Sequence, residues 1–91
     1  MIVTYWGIPK WGRGFLVCAY VLIQAALGKA LNVVKEGSKI EGVKSASAVT
    51  GAYDVVAVVE VKEISGIADL VVNKIHQIEG VRSTQTLICV A

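Results

Sequence analysis

Ile40-Glu41-Gly42-Val43-Lys44-Ser45 returns later in the chain as Ile78-Glu79-Gly80-Val81-Arg82-Ser83, 38 residues on. Two copies of one motif at a fixed offset mark an internal repeat, and the repeat decides the architecture. The same offset lays Val17-Cys18-Ala19-Tyr20-Val21-Leu22-Ile23 on Val55-Val56-Ala57-Val58-Val59-Glu60-Val61. Both runs have strand length and are rich in β-branched residues. Between each run and its Glu-Gly-Val motif, apolar residues recur at helical spacing. They are Ala26, Leu27, Ala30, Leu31 and Val34 in the first copy, and Ile64, Ile67, Leu70, Val71, Ile75 and Ile78 in the second. Ser65 offers a side-chain oxygen to cap the second helix. After each glycine the chain extends again, over residues 43–49 and 81–90.

Each copy reads strand–helix–strand. Two such units predict an α+β, ferredoxin-like βαββαβ fold, with a four-stranded antiparallel sheet and both helices on one face. Alternation along the first strand sends Val17, Ala19, Val21 and Ile23 one way, and Cys18, Tyr20 and Leu22 the other. In the third strand Val55, Ala57, Val59 and Val61 oppose Val56, Val58, Glu60 and Lys62. The second set in each strand faces away from the helices and still carries Tyr20, Leu22, Val56 and Val58. A sheet face this apolar calls for a cover, and a second copy of the chain is the expected one.

Ninety-one residues make one domain. A domain of this size buries only roughly 60–65% of its unfolded surface, so association helps it. Its apolar fraction of 55% excludes disorder and leaves surface for a partner. Net charge is +2, and the nine basic residues are scattered from Lys10 to Arg82, with no stripe to track phosphates. Direct nucleic-acid binding is not expected. The apolar run Phe15 to Ile23 is too short to span a bilayer, so no membrane association is expected either. Cys18 and Cys89 are too few for a disulfide scaffold and lack metal-ligand spacing; they read as small buried apolar residues in a reducing cytoplasm. Residues 1–16 lie outside the repeat, as an N-terminal extension to a domain over 17–91. Trp6 and Trp11 in it are candidate anchors for a subunit groove, against the alternative of a passive extension.

Catalytic chemistry is sparse, and no cofactor is expected. There is no metal motif, phosphate-binding loop or nucleophile elbow. His76 is the sole histidine, and Asp54 with Glu60 is a carboxylate pair without a base or metal partner. The informative polar segments are Thr50-Gly51-Ala52-Tyr53-Asp54, between the second and third strands, and Ser83-Thr84-Gln85-Thr86, in the last. Gly51 permits a positive φ in a tight connection. Asp54 opens a Val-rich strand, where it either caps a turn or holds a ligand's ammonium group.

The run Val49-Thr50-Gly51-Ala52-Tyr53-Asp54-Val55-Val56 resembles the Gly-x-Tyr-Asp signature of the effector domain of Lrp/AsnC (feast/famine) regulators. Ile78-x-Gly80-Val81-x-x-Thr84-x-Thr86-x-Ile88 is similar to that family's last strand, and Ala19 to Ile23 to its first. The resemblance covers residues 17–91. It implies a dimer that assembles into octamers or similar rings and binds a free amino acid at contacts between dimers. It also implies ligand-binding roles for Gly51, Tyr53 and Asp54, with Ser83, Thr84 and Thr86. No helix-turn-helix precedes the sheet in this sequence, so the chain resembles stand-alone members of the family. Such a member regulates transcription or metabolism through partners, with full-length regulators of the family as candidates. Three readings compete with this one. The first is a small dimeric α/β-barrel enzyme of monooxygenase or isomerase type, using His76. The second is an ACT-type module, for which Gly28 falls inside the helical pattern and fits poorly. The third is an assembly module without ligand.

Overall fold

A computed structural model describes residues 17–89 of the chain. The expectations about Trp6, Trp11 and the rest of residues 1–16 lie outside the described residues. Strand β1 (Val17–Ala25) leads to helix α1 (Ala30–Gly37) and strand β2 (Val43–Ala48). The second unit follows as β3 (Val55–Val61), α2 (Ile64–Asn73), a 3-10 turn (Ile75–Gln77) and β4 (Val81–Ile88). The sheet order is β2-β3-β1-β4, and every neighbouring pair is antiparallel. This is the ferredoxin-like arrangement that the repeat predicts, with each unit's first strand inside the sheet and its second at an edge.

The strand alternation decides where the core sits. Ala19, Val21 and Ile23 of β1 and Val55, Ala57 and Val59 of β3 are buried. They meet Val33 of α1, Ile67, Leu70 and Val71 of α2, and Ile75 of the 3-10 turn. Each fully buried Val, Leu or Ile of this set contributes about 1.5–3 kcal/mol. The opposite face keeps Tyr20 45% exposed and Leu87 44% exposed, with Leu22, Val56 and Val58 half-buried on the same face. The division of the two faces matches the alternation read from the sequence.

Helix boundaries depart from the periodic pattern. Ala26 and Leu27 are not helical: Gly28 turns the chain at φ +77, and α1 starts only at Ala30. The Ala26 N–H instead bonds the Gly80 carbonyl at 2.7 Å, and Leu27 is fully exposed. Gly28 therefore lies in the loop after β1, and its supposed helical position no longer counts against an ACT-type module. Ser65 does not cap α2. The helix begins at Ile64 behind an extended Glu63, with no side-chain cap bond. Ile78 lies beyond the 3-10 turn in extended backbone, where the chain bends into β4.

The two cysteines also depart from expectation. Cys18 and Cys89 form a disulfide, with Cα atoms 5.3 Å apart and a sequence separation of 71. The Cys89 N–H bonds the Cys18 carbonyl at 2.9 Å, so the two stand opposite each other one pair beyond Ala19 and Ile88. Antiparallel pairing delivers the separation that a disulfide needs. Their assignment as separate buried apolar side chains is thereby corrected, and a reducing compartment is not to be read from them. Among the described residues, no helix is long and apolar enough to cross a membrane.

Candidate functional site

The loop from Val49 to Asp54 joins β2 to β3 beside the far end of β1. Three backbone-anchored bonds hold it there. The Val49 N–H donates to the Asp54 carbonyl at 2.8 Å, and the Asp54 N–H donates to the Ile23 carbonyl at 2.9 Å. The Asp54 side chain then reaches past the end of this ladder, and its Oδ2 accepts from the Ala25 N–H at 2.8 Å. Asp54 is thus neither a local turn cap nor a free carboxylate: it ties the loop to a strand 29 residues away. Oδ1 has no hydrogen-bond partner among the described residues.

The strand β4 brings its polar residues to two different faces. Ser83 pairs with Gln24 and Gln85 with Leu22, on the open side of the sheet. Ser83 Oγ donates to Gln24 Oε1 at 2.7 Å, and Gln24 Nε2 donates to the Ala52 carbonyl at 3.2 Å. The Tyr53 hydroxyl crosses β1 and donates to Gln85 Oε1 at 2.6 Å. Tyr53, Asp54 and Ser83 are therefore gathered around the end of β1. Gly51, at φ +130, stands at the exposed tip of the same loop.

Thr84 and Thr86 point the other way. Thr84 Oγ1 lies 3.0 Å from His76 Nε2 on the helix side. Thr86 lines an apolar groove with Ile64, Ile67, Ala68, Val71, Val72 and Ile88. Strand alternation separates these two threonines from Ser83, although all three are close in sequence.

A cavity of about 390 Å³ opens where the two polar segments meet, lined by Gln24, Ala25, Asp54, Arg82 and Ser83. Gln24 and Arg82 were not among the residues singled out from the sequence. Gln24 closes an otherwise apolar strand, so its polarity was a visible signal. Arg82 reaches the cavity through a register shift in β4 opposite Gln24 and Ala25, which no local pattern announces. Two opposite charges, Asp54 and Arg82, thus border one polar hollow without forming an ion pair with each other. Such a hollow suits a small molecule that carries both signs of charge. Among the described residues, no group of three or more His, Cys, Asp or Glu side chains is placed to hold a metal ion.

Residues 18–91 match the family model for the Lrp/AsnC ligand binding domain. An uncharacterized HTH-type transcriptional regulator of Pyrococcus abyssi is 33% identical over 81 residues, which are 89% of this chain and 51% of the regulator. The chain spans about half the length of the curated relatives it matches. A crystal structure from Thermus thermophilus superposes with a TM-score of 0.78 at 31% identity, covering 82% of this chain and 94% of that one. A feast or famine regulatory protein of M. tuberculosis, complexed with L-methionine, superposes with a TM-score of 0.72 at 27% identity, covering 88% of this chain and 54% of that one.

Proposed function

This chain belongs to the Lrp/AsnC ligand-binding-domain family, and on that premise we propose that it is a regulatory domain that binds a free amino acid and self-associates. The observation that carries the proposal is the second oxygen of Asp54. Oδ2 is engaged by the Ala25 N–H, and Oδ1 is left without a protein partner, among the described residues, at the border of the cavity. A fixed carboxylate with one free oxygen is suited to a ligand's ammonium group, and charge-assisted bonds of this kind are the stronger sort. The M. tuberculosis relative in complex with L-methionine supports the ligand class. In this reading Gly51, Tyr53, Asp54 and Ser83 belong to the binding region. Thr84 and Thr86 act from the helix side, through His76 and α2.

Self-association is supported by the open face, where Tyr20, Leu22, Val56, Val58 and Leu87 present apolar surface. A dimer formed across this face, assembling further into a ring, buries it. The Thermus thermophilus chain is accounted for over 94% of its length by this fold, which supports a domain that works as a separate unit, and a separate unit of this family would regulate through partners. Full-length regulators of the family are the candidates for those partners.

Calorimetry with the twenty amino acids tests the proposal. At least one is expected to bind, and at 100 times its Kd it adds about 2.7 kcal/mol to stability. If none binds at millimolar concentration, the assembly-only reading replaces this one.

A further inference from the structure

We propose that Arg82, turned into the cavity by a β-bulge, is the cation that holds the ligand's carboxylate, and that the site prefers amino acids with small polar side chains over apolar ones. The inference rests on the amino-acid reading above and specifies the ligand within it.

The bulge comes first. On β4, Val81 pairs with Ala25 and both pack against the core, while Thr84 meets His76 on the same, helix-covered side. Regular alternation allows one residue between two that face the same way. Here there are two, Arg82 and Ser83, because the register shifts between Gln24 and Ala25. Both are left for the other side of the strand, and both line the cavity. Re-aiming a side chain in this way is a common use of a bulge.

The internal repeat supplies the second observation. Lys44 is the counterpart of Arg82, and β2 has its own register shift there, between Val43 and Ser45. Lys44 Nζ lies 3.7 Å from Glu60 Oε1, so that copy of the bulge cation has a carboxylate beside it. The counterpart of Glu60 on β1 is Leu22. Arg82 therefore has no acid on its own neighbouring strand, and among the described residues it forms no ion pair. The one copy of the repeat that lacks an internal counter-ion is the copy that borders the cavity with Asp54.

The rest of the lining sets the side-chain preference. Besides the two charges it consists of Gln24, Ser83 and Ala25. Ser83 Oγ and the Gln24 amide are held by each other and by the Ala52 carbonyl, which fixes their orientation. A carboxamide or hydroxyl side chain can bond these groups as it displaces their water. An apolar side chain strips the water and returns nothing. The volume, about 390 Å³, is at the small end for ligand sites.

The test is calorimetry on the full chain with asparagine, glutamine and serine against leucine, isoleucine and methionine. It is repeated on Arg82→Gln and Arg82→Lys, and with the decarboxylated amine of the tightest ligand. The polar group should bind at least about tenfold more tightly than the apolar group, methionine included. Arg82→Gln should weaken every amino acid by at least about tenfold, and Arg82→Lys less. The amine without a carboxylate should bind wild type and Arg82→Gln alike, which a merely structural role for Arg82 would not produce. Tighter binding of the apolar group, or full-strength binding to Arg82→Gln, overturns this inference and leaves the amino-acid reading standing. Binding by no amino acid overturns both.

Discussion

The Asp54 carboxylate accepts the Ala25 N–H at 2.8 Å and so closes the end of β1 against the loop that precedes β3. The bond is half-buried and spans 29 residues. Asp54 therefore has two separable duties: an oxygen that satisfies a backbone donor, and a charge that faces the cavity.

Two substitutions separate those duties. Asp54→Asn keeps a carbonyl oxygen for the Ala25 N–H and removes the charge. It should leave the melting temperature within a few degrees of wild type and weaken amino-acid binding at least about tenfold. Asp54→Ala removes both, and leaving the Ala25 donor unpaired should lower stability by about 1–3 kcal/mol. Urea unfolding beside calorimetry reads the two effects. Equal ligand affinity in wild type and Asp54→Asn would remove Asp54 from the binding site.

The disulfide between Cys18 and Cys89 pins the edge strand β4 to β1 and closes a long loop, with 71 residues of separation. In the chain-entropy account, such a cross-link stabilises by roughly 4 kcal/mol. Replacing both cysteines by serine should therefore lower Tm by more than about 10 °C. Scanning calorimetry with and without reductant should show the same fall in wild type and none in the double variant.

Gly42 stands at φ +100 with the Leu70 methyl Cδ1 only 2.8 Å from where a Cβ would lie. Leu70 is buried in the core under α2. Gly42→Ala adds left-handed strain and displaces a packed side chain, at a cost of about 2–3 kcal/mol in denaturant unfolding. Gly37→Ala, whose added Cβ meets only Ile78 at 3.8 Å, is the milder comparison.

Leu22 lies half-buried in the open face, on β1 between Val56 of β3 and Gln85 of β4. If a second copy covers this face, Leu22→Glu places an unpaired charge in the interface and should shift light scattering toward monomer. The wild type's melting temperature should rise with protein concentration, because unfolding is coupled to dissociation, and the variant's should depend on it less. A wild-type protein that is already monomeric at micromolar concentration would end the dimer proposal.

The repeat carried in Glu41-Gly42-Val43 and Glu79-Gly80-Val81 was enough to order the elements, and strand alternation was enough to assign both faces. These are local properties: periods of 2 and 3.6 residues, and a constant offset between copies. Asp54 was legible for the same reason, as a carboxylate at the mouth of an apolar strand. Other features exist only once strands are paired. The sulfurs of Cys18 and Cys89 meet because β1 and β4 are neighbours, and the sequence between them, a separation of 71, contains no sign of it. Arg82 faces the cavity with Ser83 because the register slips by one residue opposite Gln24. Thr84 and Thr86, alike in sequence to Ser83, are turned to the helices by the same pairing. Sequence periodicity determines which way a side chain points along a regular strand. Where the pairing is irregular, and which distant residue stands opposite, is decided by contacts between strands that the chain brings together only on folding.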